Sequence, residues 1–268
     1  MLYNTLSNLL FILYIRSLFM SLPDLASLTE KFNTLPPSRR IITIDGLSGV
    51  GSSTTSRILA KKLGARHINA GAYYRTLAYM AMKARYLNQD ANGGHHLSES
   101  SPLFRNVCDL ARAVSPEYSG RFLFQDGYDI TDIIITEKMG SLAAIVSPFP
   151  EIRQIIKAAQ KAAAEQKPTV LEGRVAGKLC EDAVLKIWLT CDASIRAQRR
   201  HAQLGDTDET IAEIEARIRK RDAADTARDH DPATPAKDAL VLSTEALSQD
   251  ETAKTIFLNL ACRLELPF

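Results

Sequence analysis

The sequence predicts an α/β fold in which a doubly wound parallel sheet of five strands is flanked by helices. Two observations carry this prediction. Short apolar runs alternate with longer helical patterns along the chain, as buried parallel strands alternate with their crossover helices. The first of these runs leads through a glycine-rich loop into a helix, at the kind of strand end where open α/β sheets bind ligands. At 268 residues the chain is long enough to bury one full core.

The five predicted strands lie at 41–45, 66–69, 169–171, 184–190 and 239–242. Helical patterns are found at 53–63, 71–82, 151–166, 192–228 (interrupted near Gly205) and 250–264. The runs at 169–171 and 184–190 are short and apolar and lie between helices, as buried parallel strands should.

Residues of about 85–150 interrupt this alternation and predict an inserted subdomain on the substrate side of the sheet. The insertion should contain a polar loop at 88–101, a helix and a hairpin at 102–128, and a helix from 136 that prolines break near 150. The core is therefore expected in two parts, at 40–84 and at 151–268.

Residues 1–39 form an N-terminal extension. Its segment from Leu9 to Met20 is apolar, but Arg16 interrupts it and it is too short to span a bilayer comfortably. A signal peptide would carry its positive charge before the apolar run and a small-residue cleavage site after it. Two interpretations stay open for residues 1–19: a membrane-associating extension, or upstream sequence included by a wrongly chosen start. We favour the second, with Met20 as the true start, and expect no stable membrane span.

Composition narrows the class of partner. The chain is 46% hydrophobic and 24% charged, which is ordinary for a globular protein. A net charge of +2 gives no general signal for binding polyanions, so no nucleic-acid partner is expected and any anion site must be built locally. Four scattered cysteines without C-x-x-C spacing favour reduced, mostly buried thiols in a cytoplasmic protein, and no zinc site is visible.

The glycine-rich loop has the layout of a phosphate-binding P-loop, G-x-x-x-x-G-K-[ST], with Ser52 at the lysine position. Glycines let the backbone wrap around phosphate oxygens, and amides at the helix N-terminus point at negative charge. The candidate phosphate-binding residues are Gly46, Leu47, Ser48, Gly49, Val50, Gly51, Ser52, Ser53 and Thr54. Without its lysine the loop is also compatible with an ordinary glycine turn between a strand and a helix.

Four clusters with arginine lie at predicted strand ends or helix starts: N-A-G-A-Y-Y-R at 69–75, Pro150 with Arg153, L-E-G-R at 171–174, and R-D-A-A-D-T-A-R at 221–228. In the last cluster, spacings of four and three put Arg221, Asp225 and Arg228 on one helical face. Guanidinium groups that converge from different elements suit a phosphoryl group in transfer, because forked donors match its oxygens. A solvated helix with i,i+4 pairs stays an alternative for Arg221 and Arg228. It is harder to apply to Arg174, which directly follows a buried strand.

Taken in order, the motifs of the chain resemble the cytidylate (CMP/dCMP) kinase family of nucleoside monophosphate kinases. They are I-D-G-x-x-G-x-G, A-G-A-Y-Y-R, D-I-T, P-x-I-R, L-E-G-R, L-K-I-W-L-T, R-D-x-x-D-x-x-R and P-A-x-D-A, and they cover about 40–264. The resemblance implies a P-loop kinase core, a nucleoside monophosphate (NMP)-binding insertion and a short helical lid at about 196–216. It also implies transfer of the γ-phosphate of ATP, with Mg²⁺, onto CMP or dCMP in pyrimidine nucleotide metabolism, by a cytoplasmic monomer.

Carried over by position, the resemblance implies roles for individual residues. Residues 46–54 would cradle ATP, with the Ser53 hydroxyl on Mg²⁺. The acceptor nucleotide would be bound by Arg75, Arg174 and Arg228 at its phosphate, by Arg221 and Asp225 on the ribose side, and by Arg153 at the cytosine. Arg199 and Arg200 lie where lid arginines reach the transferring phosphate, so the catalytic set would be Arg174, Arg199, Arg200 and Arg228.

The chain also departs from the family pattern. Besides Ser52, Asn69 and Ala70 replace the usual acidic residue and hydroxyl, Ala144 replaces a serine that helps hold the base, and Val175 replaces the aspartate after E-G-R. The motif E-G-R-[LV]-A-G nevertheless resembles the archaeal branch of the family. These changes fall in the triphosphate cradle and the base-reading pocket, which predicts slow transfer and relaxed base discrimination.

Three functions stay open on the sequence: an active (d)CMP kinase with altered rate or preference, a catalytically impaired nucleotide-binding pseudokinase, and a kinase of another small phosphate acceptor. The retained arginines favour the first function, and Ser52 favours the second.

Overall fold

The structure is a computed structural model that describes residues 25–90, 93–119, 122–205 and 207–265. The expectations for residues 1–19 therefore lie outside the described residues. Within these ranges, no helix combines the length and apolarity that crossing a membrane requires.

The strands in chain order are β1 (Ile41–Gly46), β2 (Arg66–Asn69), β3 (Asn88–Gln89), β4 (His95–His96), β5 (Glu117–Ser119), β6 (Phe122–Gln125), β7 (Tyr128–Asp129), β8 (Thr169–Gly173), β9 (Leu185–Thr190) and β10 (Leu240–Ser243). The helices are α1 (Leu25–Thr34), α2 (Ser52–Lys62), α3 (Ala70–Lys83), α4 (Leu103–Ala113), α5 (Thr131–Ile134), α6 (Glu137–Val146), α7 (Pro150–Gln166), α8 (Ala176–Leu179), α9 (Ala193–Leu204), α10 (Ile211–Thr226) and α11 (Gln249–Glu265).

The central sheet confirms the predicted fold class. Its five strands run in the order β10-β9-β1-β8-β2, and every neighbouring pair is parallel. All six residues of β1 are buried, because helices cover both faces of the sheet. In the register of β1 with β8, Asp45 lies beside Gly173. The glycine loop after β1 and Arg174 after β8 therefore leave the sheet side by side.

Successive residues of each central strand point to opposite faces of the sheet, and each face has its own core. Ile42 and Ile44 belong to a cluster that includes Leu28 of α1 and Leu59 of α2. Ile41 belongs to a second cluster, formed with residues of α3, α4, α6 and α7. Apolar side chains on both faces of the strands thus allow one helical layer to pack on each side, as the doubly wound fold requires.

The chain between α3 and α7 forms two small antiparallel sheets, β3-β4 and β5-β6-β7, together with helices α4 to α6. The hairpin predicted within 102–128 is present, and it turns at Asp126 and Gly127, both with positive φ, as a two-residue hairpin turn prefers. The expectation of a plain loop at 88–101 was wrong in one respect, because β3 pairs with β4 there. A ladder of two residues per strand is too short to produce a readable apolar alternation.

Candidate functional site

The loop between β1 and α2 has the geometry that its motif predicts. Gly46 has no room for a side chain, because a Cβ atom there would lie 2.7 Å from the Leu189 carbonyl oxygen and 2.8 Å from Val50 Cγ2. Gly49 and Gly51 have φ angles of +82° and +94°, in the left-handed region that glycine adopts without strain. The backbone path itself therefore requires the three glycines.

Two side chains hold this loop through its carbonyl groups. Arg196 Nη1 donates to the Ser48 oxygen at 2.8 Å, and the Thr244 hydroxyl donates to the Val50 oxygen at 3.1 Å. In a trans peptide the N–H points away from the preceding carbonyl, so fixing these two oxygens turns the next amides to the opposite side of the loop. Amides presented in this way form a concavity suited to anions.

A hydroxyl and a buried carboxylate meet beside the loop. Ser53 Oγ donates to Glu172 Oε1 at 2.9 Å, and the Asn69 amide donates to the same oxygen. The other oxygen, Glu172 Oε2, lies 3.6 Å from His67 Nε2, and it has no hydrogen-bond partner within the part of the chain that the structure describes. Glu172 therefore has an incompletely bonded carboxylate next to the phosphate-binding motif.

This pair suits the Mg²⁺ ion that the resemblance implies. Magnesium prefers oxygen ligands, and it is usually bound through one or two protein groups together with waters and substrate phosphates. Among the described residues, no group of three or more His, Cys, Asp or Glu side chains could hold a metal ion. Ser53 and Glu172 would thus be the residues that hold the ion, with a nucleotide supplying further ligands.

Two arginines of the predicted set contact one buried carboxylate. Asp225 is buried and accepts from Arg174 Nε at 3.4 Å and from Arg228 Nη2. Burial lowers the pKa of Arg174, Asp225 raises it and Arg221 lowers it again; burial and then Arg221 also lower the pKa of Arg75. The charge of Arg221 therefore acts on both arginines. The cluster carries more positive than negative charge, which suits an anionic ligand.

The alternative of a solvated helix applies to only part of this cluster. It fits Arg221, which is exposed on α10, where the nearby Arg219 and Glu215 form an ordinary i,i+4 pair. Arg228, in contrast, pairs with the buried Asp225. Arg75 donates to the Ile134 carbonyl oxygen at 2.6 Å, so it ties α3 to the inserted subdomain.

Arg153 lies in a separate ion-pair group that adjoins the cluster. Its Nη2 is 3.3 Å from Asp231 Oδ2, and Lys157 Nζ is 3.0 Å from Asp231 Oδ1. These residues line a cavity of about 300 Å³. Asp231 has a φ of +55°, which is uncommon for a residue other than glycine. The Ala233 amide donates to the Asp225 carbonyl oxygen at 2.9 Å, which brings the segment that carries Asp231 to the arginine cluster.

The two arginines assigned to the lid lie elsewhere. Arg199 Nη2 donates to the carbonyl oxygens of Thr244 at 2.6 Å and Glu245 at 3.1 Å, which places it beside the segment after β10. Arg200 is exposed. The structure does not bring either residue to Arg174, and their role at a transferring phosphate stays a prediction.

The positions that depart from the family pattern have distinct surroundings. Asn69 caps α3, since its Oδ1 accepts from the Ala72 amide at 3.1 Å while its amide nitrogen donates to Glu172. Ala144 is exposed and Val175 is half-buried.

Sequence reasoning gave no role to Asp45, Glu172, Arg196, Asp231 or Thr244. Asp45 is buried and accepts from the amides of Ala176 and Gly177 at 2.8 Å and 2.7 Å. A signal existed for Asp45 and Glu172, because a carboxylate inside a buried strand needs partners. For the other three no local signal exists, because their contacts join distant parts of the chain.

Known proteins with similar sequences identify the family of this chain. A family model described as cytidylate kinase matches residues 42–261. The chain is 36% identical over 229 residues to the cytidylate kinase of Stutzerimonas stutzeri, covering 83% of this chain and 96% of that protein. It is 30% identical over 230 residues to the cytidylate kinase of Shewanella halifaxensis, covering 85% and 97%. A solved gluconokinase from Sinorhizobium meliloti is 13% identical with a TM-score of 0.36, covering 86% of this chain and 95% of that one, a likeness too low to carry an argument.

Proposed function

Because the chain belongs to the cytidylate kinase family, we propose that it transfers the γ-phosphate of ATP to CMP or dCMP, as a phosphotransferase with a phosphate group as acceptor. The observation that supports this proposal is the placement of the glycine loop and Arg174 at one sheet edge. The glycine loop leaves β1 beside the point where Arg174 leaves β8, since Asp45 and Gly173 are register partners. A donor triphosphate on the loop and an acceptor phosphate on the arginines would therefore be neighbours.

In this assignment the loop amides of residues 46–54 hold the ATP phosphates, and Ser53 with Glu172 holds Mg²⁺, which supplies positive charge to the transferring group. Arg75, Arg174, Arg221 and Arg228 hold the acceptor phosphate and its surroundings, with Asp225 orienting two of them. Arg153 is assigned to the base. The family's acceptor needs no deprotonation by the protein, because a phosphate oxygen already carries negative charge.

The Ser53–Glu172 pair favours an active kinase over a pseudokinase, because this hydroxyl and carboxylate could hold the Mg²⁺ that phosphoryl transfer uses. Because Ser52 carries no charge where a P-loop has its lysine, we expect phosphate transfer to be slow.

The test is a coupled assay for ADP formation with ATP, Mg²⁺ and each of CMP, dCMP, UMP and AMP in turn. We expect CMP and dCMP to support turnover best, with UMP discriminated less strongly than in a site that keeps all its base-reading groups. If CMP binds in calorimetry but none of the four supports ADP formation, the pseudokinase assignment replaces this one. Turnover with a different phosphate acceptor alone would assign the chain to another substrate.

A further inference from the structure

The phosphate loop lacks the mobile ammonium that a P-loop lysine brings to the outer phosphates. Ser52 carries no charge, so any positive charge must come from outside the motif. Arg57 donates to the Ser53 carbonyl oxygen, but Arg57 is exposed and its charge is screened by solvent. Arg196 is different, because its side chain is buried against the loop.

Arg196 joins three parts of the molecule through one guanidinium group. Its Nη1 is 2.8 Å from the Ser48 oxygen, its Nε is 2.9 Å from the Cys191 oxygen at the end of β9, and its Nη2 is 2.7 Å from Asp222 Oδ2 on α10. Its aliphatic part lies over the loop: a Cβ atom at Gly49 would be 3.6 Å from Arg196 Cβ. Each of the three nitrogen atoms of the group thus has an acceptor.

We propose that Arg196 is the positioning residue of the phosphate loop and supplies, from the carbonyl side, the positive charge that Ser52 does not. The proposal rests on the proposed function in taking a nucleoside triphosphate as the ligand. A charged donor on the Ser48 carbonyl polarises the Ser48–Gly49 peptide, so the Gly49 amide becomes a stronger donor on the opposite side. Arg196 acts through this peptide, and no contact with the ligand is required.

Asp222 sets how much of this charge reaches the loop. Its side chain is 13% exposed, and its Oδ1 has no hydrogen-bond partner among the described residues, while Oδ2 faces Arg196. At a poorly solvated site a carboxylate 2.7 Å away offsets most of the field of a guanidinium. Removing only the negative charge of Asp222 should therefore strengthen anion binding at the loop, even though it weakens the ion pair.

If the pair of Arg196 and Asp222 served only to stabilise the fold, removing the charge of Asp222 would not strengthen anion binding. Breaking a buried pair leaves Arg196 without its counter-charge, which lowers stability. If the pair served only to hold α10 against α9, the loop would loosen and nucleotide affinity would fall or stay the same. Under the proposal, Asp222→Asn thus lowers the stability of the protein and raises its affinity for MgATP. Under the structural alternative, stability falls and affinity does not rise.

The experiment is calorimetric titration of MgATP into the full chain and three variants, with thermal unfolding recorded for each. We expect Asp222→Asn to bind MgATP about fivefold more tightly with a lower melting temperature, because Asn keeps the shape and removes the charge. Arg196→Lys should bind about tenfold more weakly, because one ammonium cannot satisfy three acceptors held in a fork geometry. Glu215→Gln is the matched control, since it removes a carboxylate from the same helix at an exposed pair and should leave MgATP affinity unchanged.

CMP affinity is measured on the same samples, and loss of both affinities identifies a variant that has simply lost its fold. The inference is overturned if folded Asp222→Asn binds MgATP no more tightly than the wild type does. It is also overturned if Arg196→Lys binds MgATP with unchanged affinity. If the wild-type chain does not bind MgATP, the proposed function fails with it. If the wild type binds MgATP and phosphorylates CMP while Asp222→Asn is unchanged, only the inference about Arg196 fails.

Discussion

At the scale of single residues, Asp225 orients two arginines of the proposed acceptor site. This buried carboxylate accepts from Arg174, which follows β8, and from Arg228, which follows α10. Two guanidinium groups from different elements are thereby oriented before any ligand arrives. Such preorganisation lowers the cost of ordering long side chains on binding.

Replacing Arg174 tests this arrangement. We expect Arg174→Ala to weaken CMP binding at least about thirtyfold while MgATP affinity changes little, because a charge-assisted contact to the acceptor phosphate is lost. Arg174→Lys should lose most of the same affinity, since a point ammonium does not replace a bidentate fork. Titration calorimetry with each nucleotide measures both effects, and Arg219→Ala, at an exposed pair on α10, is the control. Unchanged CMP affinity in Arg174→Ala would remove this residue from the acceptor site.

Ser52 gives a second prediction at the same scale. The loop keeps its glycines and Ser53, so we expect the wild-type protein to bind MgATP and to transfer phosphate slowly. Ser52→Lys should raise kcat at least about tenfold and change MgATP affinity much less, because charge at the β/γ bridge acts mainly in the transition state. Steady-state kinetics with CMP, combined with calorimetry, separate the two quantities. Ser52→Met has a long side chain without charge and should not raise turnover; if it does, the effect is one of packing.

At the scale of elements, Asp45 joins β1 to the turn after β8. Its two carboxylate oxygens accept from the amides of Ala176 and Gly177 at the start of α8. Gly177 fits against this group without room to spare, since a Cβ atom there would lie 3.4 Å from Asp45 Oδ2 and 3.2 Å from Thr43 Oγ1. Asp45 thereby fixes the path of the chain on both sides of Arg174.

This link should make stability depend on pH in a specific direction. Burial raises the pKa of Asp45 from 3.8 to about 6, against the opposing effect of its two amide donors. A raised carboxyl pKa means that the folded state holds the proton more tightly, so the contribution is complete below pH 3.8 and is lost as the pH rises through about 6. The loss is on the order of a few kcal/mol.

The measurement is the difference in unfolding free energy between wild type and Asp45→Asn from pH 4 to pH 7, by urea titration. Taking the difference cancels the carboxyl groups that the two proteins share, and Asn does not titrate. We expect the wild-type value minus the variant value to fall as the pH rises. A difference that is flat or that rises would mean that the amide donors outweigh burial and that the pKa of Asp45 is not raised.

At the scale of the whole molecule, the N-terminal helix α1 belongs to the core. Leu28 and Phe32 are fully buried in the cluster that contains Ile42 and Ile44 of β1, and α1 also contacts α11. Residues 1–24 lie outside the described part of the chain. The predictions that the protein is a monomer and cytoplasmic are not tested by the fold.

Two truncations should distinguish residues 1–19, which we expect to be dispensable for stability, from helix α1, which belongs to the core. A chain that begins at Met20 should melt at the temperature of the full chain and be at least as soluble, because the apolar block before it has no periodic partner in the core pattern. A chain that begins at Leu35 should lose several kcal/mol, because Leu28 and Phe32 leave cavities of the kind that cost about 2–5 kcal/mol each. Thermal unfolding of the three chains measures this. A clear loss of stability on removing residues 1–19 alone would show that they pack on the fold.

From the sequence alone follow the order of the five central strands and the long helices between them, the glycine loop and the identity of the arginines, because these depend on local periodicity and on motifs of a few residues. The contacts of those residues became visible in the folded structure. Arg196 reaches Ser48 across 148 positions, Thr244 reaches Val50 across 194, and Arg153 reaches Asp231 across 78. Such contacts depend on how β9, β10 and the segment after α10 pack around β1, and no repeat or spacing in the chain records that packing. The same reason explains why the sequence showed the missing lysine while only the structure showed the buried arginine behind the loop.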